Sequence, residues 1–470
     1  MARIDKNRKV VVVGAGVAGL SSAFLIREKA MERNLDVDIT ILESRPYSGG
    51  STRTDRINGY TCDWGPNGFL DNEPLTMELI KILGIEDRLV RANEASSKRY
   101  IYYDGKMREV PLSPVKFLKS DIVSLPIKLR MAFELFIPPK RNGDDETVHS
   151  FGRRRLGAGF ARYLLDPMVS GIFAGNTREL SLKAVFPKMI EMENEYGGLF
   201  KALFARRKEA GRNGKKSGGP AGPGAILHTF KNGMGELTKS LADKMNAELR
   251  LSAPVKSIES LDGRFAVITE KGNFKADDVV LACPSYEASK MIEDLDRKVA
   301  KLLNEIPFAP VDVVCHGYRS ESVGRSIDGF GVLVPRSEKI RSLGTLWSDS
   351  IFPGQAPDGY HLFRTILGGA CDPDIANLGN DSLDEIAQND LSRIVNVNNK
   401  PDFTRVFRHP KGIAQYIVGH LDRVASTEKM ERDLPGLYFT GVSYRGVSVN
   451  GCIKDAFRVA DKFRQMEKSR

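Results

Sequence analysis

VVVVGAGVAGLSSAFLIREKAMERNLDVDITILE, residues 10–43, is the stretch that decides the fold. Val10 to Val13 are a β-branched run suited to a strand. Gly14, Gly16 and Gly19 follow in GxGxxG spacing, then a helical stretch, then a second strand (Val37, Ile39, Ile41, Leu42) that ends at Glu43. Each glycine has its own task. Gly14 allows a tight turn out of the strand, Gly16 lets backbone approach a pyrophosphate, and Gly19 lets the helix pack against the sheet. Ala15, Val17 and Ala18 fill the same turn, whose helix N-terminus offers N–H groups and a positive dipole end to phosphates. Glu43, with Ser44 beside it, is placed to accept hydrogen bonds from the adenosine ribose. A carboxylate there would repel a 2′-phosphate, so the unit reads as a dinucleotide site that excludes NADP.

Residues just past Glu43 narrow the dinucleotide. ESRPYSGGSTRT carries a second glycine pair, Gly49-Gly50, and a chain passing close beneath an extended FAD pyrophosphate has no room for a Cβ there. An ordinary Gly-Gly turn would look the same. Asp63-Trp64-Gly65-Pro66-Asn67-Gly68 forms another backbone-dense turn with room for a flat ring. LYFTGVSYRGVSVNGCIKDAFRVADKF reads as strand, glycine turn and helix, bringing a second helix N-terminus to a flavin. GxGxxG occurs once, so no separate NAD(P)H module is expected. Oxygen or another diffusible acceptor would then take the electrons.

The ordered set GAGVAG, ESRPYSGG, DWGPNG, KNGMGELTKSLADKM, SAPVKSIE, ADDVVLACP and LYFTGVSYRGVSVNGCI resembles the flavin-containing amine oxidase superfamily. Within it, GPNGFLD (65–71), GIFAGNTRELSLKAVFP (171–187), GFGVLVP (329–335) and YRGVSVNGCI (444–453) are most similar to the protoporphyrinogen/coproporphyrinogen oxidase family. The resemblance covers essentially the whole chain. It implies an α/β fold (α+β overall): a Rossmann-like FAD-binding domain from 1–90, 226–300 and 421–470, and a mixed-sheet substrate domain from 91–112 and 301–420. A helical insertion spans 113–225.

For the cofactor, it implies non-covalent FAD contacted by residues 14–19, Glu43, Ser44, Gly49, Gly50, Ser51, Gly65, Pro66, Asn67, Gly68, Val255, Val442, Val447, Ser448 and Val449. Ser51 stands where some relatives carry a larger residue, and Val255 reads equally well as plain core. Cys452, in the C-terminal turn, is the cysteine to watch for a flavin linkage. For the substrate, Arg99 matches a propionate-binding arginine, whose planar fork can grip a carboxylate bidentately. Lys98 is its competitor. Phe330, Gly331 and Leu333 match positions that sandwich a macrocycle; strand core with a glycine bulge is the plainer reading.

No acid–base or nucleophilic constellation stands out, so no catalytic side chain is assigned. The chemistry implied is hydride transfer from protoporphyrinogen IX to the flavin, with O2 reoxidation giving H2O2. Coproporphyrinogen III is the nearest alternative substrate; some relatives acting on it lack an arginine at the Arg99 position. An amine oxidase or a carotenoid desaturase is more distant.

The chain has 470 residues, a net charge of +10 and 41% hydrophobic residues, with a pI near 9.2. That suits several modules and a basic surface facing anionic lipid or a polycarboxylate. The basic residues are scattered and no nucleic-acid module appears. Cys62, Cys283, Cys315, Cys371 and Cys452 are far apart and odd in number, which fits a reducing cytoplasm. The six histidines show no metal-ligand spacing, and no apolar run is long enough to cross a membrane.

VPLSPVKFLKSDIVSLPIKLRMAFELFIPPKR (110–141) interleaves apolar residues with Lys116, Lys119, Lys128, Arg130, Lys140 and Arg141. Such an edge can lie in a headgroup layer at the inner face of the cell membrane; helices packed on their own core are the alternative. Residues 206–224, RRKEAGRNGKKSGGPAGPG, read as a mobile loop. Further expected partners are the next haem-pathway enzyme, for product hand-over, and a second copy of the chain.

Overall fold

The computed structural model describes residues 7–111, 113–141, 143–212, 225–245, 247–261 and 263–466. Its centre is a parallel five-stranded sheet ordered Glu248–Arg250, Val37–Leu42, Arg8–Val13, Asp278–Leu281, Leu437–Phe439. Val12 is level with Ile41 on one side and Val280 on the other. The two central stretches, Val10–Val13 and Val279–Leu281, are apolar on both faces because both are covered, the rule for buried parallel strands. The helices Val17–Met31 and Val449–Met466 pack on one face around Leu20, Phe24, Ile453 and Phe457. The other face packs on the antiparallel meander Val255–Leu261, Arg264–Thr269, Gly272–Ala276. Val255 is buried in that second core beside Val11, Val13 and Leu42.

A second sheet has seven strands ordered Phe403–Ala414, Phe308–Arg319, Tyr360–Gly368, Gly344–Trp347, Gly331–Leu333, Tyr100–Tyr103, Lys106–Glu109. It is mixed: only Gly331–Leu333 and Tyr100–Tyr103 run parallel. Its back is covered by the helix Asn380–Val395, with Trp347, Phe363 and Leu391 fully buried. From Pro114 to Arg212 the described chain is a series of helices.

This corrects the loop expected at 206–224. Arg206–Arg212 continue the helix Leu199–Arg212, whose first-turn N–H groups at Leu199 and Phe200 are held by the buried Glu134 carboxylate. Residues 213–224 lie outside the described residues. In the basic 110–141 edge, Lys128 and Arg130 have partners within the protein. Arg130 donates to the carbonyls of Arg154 and Arg155, and Lys128 to those of Leu118 and Ser120, so neither is free for a headgroup. Lys116 and Lys119 remain exposed.

Candidate active site

The glycine turn leaves the central strand with Gly14 at φ +106°, a conformation that favours glycine. Gly14 and Gly19 are locked together, because a Cβ on Gly19 would stand 1.9 Å from the Gly14 carbonyl oxygen. Gly16 differs: a Cβ there meets nothing within 4 Å. The protein itself does not require Gly16; the open space beside it is what a pyrophosphate would fill. The helix behind begins without a side-chain cap, which leaves its first N–H groups for an anion. Gly49 donates to the Ala15 carbonyl at 2.7 Å, and Gly50, at φ +58°, sits 3.2 Å (from an added Cβ) from Gly16 Cα. The two glycine turns are one cradle, and its shape fits a dinucleotide pyrophosphate.

Glu43 closes the adenosine side. Its Oε2 accepts the Ala15 N–H at 2.8 Å, and Oε1 accepts the Arg45 N–H at 2.9 Å and the Ser44 hydroxyl at 3.3 Å. The carboxylate therefore shapes the turn as well as offering lone pairs to a ribose. Arg53 was not singled out from the sequence. Its guanidinium lies over Tyr47 at 4.0 Å and Trp64 at 4.3 Å, with no carboxylate partner among the described residues.

The DWGPNG turn is pinned from the second sheet. Arg364 donates to the Asp63 and Gly65 carbonyls, and His409 Nε2 to the Trp64 carbonyl at 2.9 Å. Burial lowers the His409 pKa, which keeps the ring neutral with its proton on Nε2. Gly65 and Gly68 are demanded by the protein: a Cβ would come within 2.7 Å of the Ser51 and His228 carbonyl oxygens respectively. Asn67 lines a small recess of about 10 Å³ together with Thr61, Asp63, Ser348, Phe352, Gln355 and Arg364. Burial pushes Asp63 up to about 6, although the Thr54 hydroxyl, Arg364 and the Met234 N–H all favour its charged form.

At the C-terminal turn, Val442 and Val447 are half-buried, Ser448 is exposed, and the helix begins at Val449. Cys452 is turned into the core, and burial pushes its thiol up to about 12, so it offers no thiolate to a flavin ring.

One face of the second sheet is only partly covered. In register across it lie Ile101, Leu333, Gly344 and Ile366, and one step along Gly331, Leu346 and Arg364. Leu346 and Ile366 are half-buried in interior strands, whereas Thr345, Trp347, Phe363 and Thr365, facing the other way, are buried. Arg99 and Phe330 stand at the edge of this face, the guanidinium 5.2 Å from the ring centroid. Arg99 has no carboxylate partner among the described residues, and while solvent reaches it, surrounding protein lowers its pKa by burial. Lys98 points the other way onto Asp328, which also accepts from Tyr100.

Leu333 packs against Gly171 of the helical segment, where an added Cβ would be 2.5 Å from Leu333 Cδ2. The close approach expected at Gly331 is made to the next strand: its Cβ would meet the Thr345 carbonyl oxygen at 2.2 Å. Gly331 is thus glycine for sheet packing.

Sequence reading missed Leu346, Ile366, Arg364 and His409. The signal for Arg364 and Ile366 was LFRTIL (362–367), which places a charge inside an apolar strand, but the pairing of distant strands was needed to read it.

Residues 17–462 match the family described as flavin containing amine oxidoreductase. The chain is 31% identical to the chloroplastic protoporphyrinogen oxidase of Nicotiana tabacum, over 96% of this chain and 84% of that one. It is 28% identical to coproporphyrinogen III oxidase of Bacillus subtilis (strain 168), over 96% of both. Among solved structures, one from Exiguobacterium sp. 255-15, provisionally described as a protoporphyrinogen oxidase, superposes with a TM-score of 0.83 at 24% identity, covering 98% of this chain and 99% of that one. Cyclohexylamine oxidase from Brevibacterium oxydans gives 0.70 at 17%, covering 98% and 99%; at these identities the likeness is one of fold.

Proposed function

This chain belongs to the flavin-containing amine oxidoreductases, and we propose that within them it oxidises protoporphyrinogen IX to protoporphyrin IX, with O2 as acceptor and H2O2 as co-product. The observation that carries the reading is Arg99: a guanidinium without a carboxylate partner among the described residues, beside Phe330, at the edge of a partly covered face that holds Leu333, Leu346 and Ile366. An amine substrate would gain nothing from a cation there, whereas a macrocycle with propionates is matched by it.

FAD would be held non-covalently by the two glycine turns, Glu43 and the 442–449 turn, and would supply a two-electron acceptor for a hydride from a substrate carbon, one that oxygen can reoxidise. The chain's own residues bind and orient. Arg99 takes a propionate, Phe330 stacks on the ring, and Leu333, Leu346 and Ile366 make a water-poor floor. Arg364 and His409 hold the turn carrying Asn67 in a fixed place. Positioning of this kind is the main demand of the reaction, since gain of aromaticity drives it forward.

Coproporphyrinogen III is the second reading, favoured by the full-length match to the Bacillus subtilis protein. The deciding experiment supplies the purified protein with each porphyrinogen, prepared without oxygen, and records porphyrin fluorescence and peroxide as oxygen is admitted. Faster turnover of protoporphyrinogen IX is expected; a preference for coproporphyrinogen III transfers the assignment. Undiminished turnover under argon removes oxygen as acceptor.

The exposed side chains of Leu118, Leu125, Leu129, Phe133 and Phe136, next to Lys116 and Lys119, support attachment to an anionic membrane surface. Among the described residues no helix is long and apolar enough to cross one. Co-sedimentation with anionic but not neutral vesicles is the expected result.

A further inference from the structure

Between the strand Phe403–Ala414 and the helix His420–Asp433, the short segment Gln415–Gly419 touches three parts of the molecule at once. Gln415 Nε2 donates to the Phe173 carbonyl at 2.9 Å. The Tyr416 carbonyl accepts from Ser181 at 2.8 Å, Ile417 bridges Leu180, and Val418 donates to the Glu179 carbonyl at 3.0 Å. These contacts fasten the segment to the turn between the helices Asp166–Phe173 and Leu182–Val185.

The side chains of Tyr416 and His420 reach the opposite way, into the turn between the strand Leu437–Phe439 and the helix Val449–Met466. The Tyr416 hydroxyl donates to the Val442 carbonyl at 2.7 Å and accepts the Gly446 N–H at 2.8 Å, so one oxygen closes the turn on both sides. His420 Nε2 donates to the Tyr444 carbonyl, midway between them, at 2.9 Å. The two rings are stacked face to face, 3.8 Å between centroids and 12° apart in plane, and both are buried. Burial raises the phenol and lowers the imidazole to about 4, so at neutral pH the first keeps its O–H and the second is uncharged with its proton on Nε2. Gly446 lies back to back with Gly451, an added Cβ standing 3.0 Å from the Gly451 Cα. The turn therefore has little other freedom once the three bonds are made.

We propose that Tyr416 and His420 are positioning residues for the cofactor: as a stacked clip they set the 442–446 turn, and through it the start of the C-terminal helix, at the place the flavin must meet. This rests on reading 442–449 as a flavin-facing turn.

The test titrates flavin-stripped full-length protein with FAD and records the visible spectrum of the bound flavin, together with the melting temperature of the stripped protein. Tyr416→Phe keeps the stack and removes the oxygen. It is expected to weaken FAD binding about tenfold, as loss of two neutral hydrogen bonds predicts, and to shift the flavin band. His420→Phe keeps the stack and removes one bond, and is expected to weaken binding about threefold. If Tyr416→Phe does not fold, His420→Phe decides. Wild-type affinity and spectrum in the variants, whether or not the stripped proteins melt earlier, overturn the proposal. The wild-type titration judges the flavin reading separately: failure to bind FAD removes that reading, whatever the variants do.

Discussion

The cofactor cradle and the substrate face are built by opposite means. At the cradle, main chain meets main chain: Gly14 against Gly19, Gly16 against Gly50, Gly49 on the Ala15 carbonyl. Its shape is set by where side chains are missing. On the seven-stranded sheet the face is set by side chains, Arg99 without a carboxylate partner among the described residues and Leu346 and Ile366 left half-buried. A backbone-built site fails as a whole when a single atom is added. A side-chain-built site should lose its contacts one at a time and keep its fold.

The sharpest way to break that comparison lies within the cradle. Gly19→Ala places a methyl carbon on the Gly14 carbonyl oxygen, 1.9 Å away, where only backbone can yield. The expected loss is on the order of 4 kcal/mol or more, enough to prevent recovery of folded protein. Gly16→Ala should behave differently. Gly16 has φ −79°, open to any residue, and space beside it. The stripped protein should melt as wild type does, within roughly 0.5 kcal/mol, yet purify without flavin. Circular dichroism and the flavin-to-protein ratio check both. Full flavin content in Gly16→Ala would show that the open space is not the pyrophosphate path.

Next in size is Asp63, where the two regions meet. Its carboxyl, raised by burial from 3.8 to about 6, favours the fold in acid, and that contribution is lost as pH rises through about 6. The difference corresponds to about 3 kcal/mol. Asp63→Asn keeps an oxygen for the Met234 N–H and the Thr54 hydroxyl. It should therefore gain stability relative to wild type at pH 8 and little at pH 4, read from denaturant midpoints. An equal change at both pH values would place the Asp63 charge outside the balance.

These differences also explain what the sequence disclosed. Gly14, Gly16, Gly19, Glu43 and the Gly49-Gly50 pair lie within one βαβ unit, so spacing along the chain is spacing in the fold, and the strand–turn–helix–strand pattern is observed. Arg99 and Phe330 were legible only through family resemblance. Nothing in RYIYYDG or GFGVLVP says that the two strands are parallel neighbours. Leu346, Ile366 and Arg364 needed the register of four strands, and Tyr416 needed a contact with a turn 26 residues away in sequence. The loop expected at 206–224 failed over 206–212 because helix propagation from a well-held first turn at Glu134 outweighs a run of like charges.

Glu43→Ala tests whether one side chain can matter at a backbone-built site. It removes the acceptor from the Ala15 and Arg45 N–H groups as well as from a ribose. FAD affinity should fall by about 1.5–3 kcal/mol, roughly ten- to a hundredfold. Titration of stripped protein measures it, and unchanged affinity would take Glu43 out of the site.

The smallest expected effect is on the substrate face, and it separates two adjacent residues. Arg99 and Lys98 are neighbours in sequence, but extended chain sends them to opposite sides. Lys98 is committed to Asp328, and both are about half exposed, 43% and 46% of side chain, so the pair is worth little to stability. Arg99→Ala should raise KM for protoporphyrinogen IX five- to thirtyfold, about 1–2 kcal/mol for a charge-assisted contact that solvent still reaches. It should leave kcat and the flavin spectrum near wild type, since the propionate is remote from the reacting carbon and Arg99 touches no cofactor turn. Lys98→Ala should leave KM unchanged. A Lys98 effect equal to that of Arg99 would mean that the two act as a diffuse basic patch. A fall in kcat with constant KM in Arg99→Ala would mean that the guanidinium acts on the reacting ring itself.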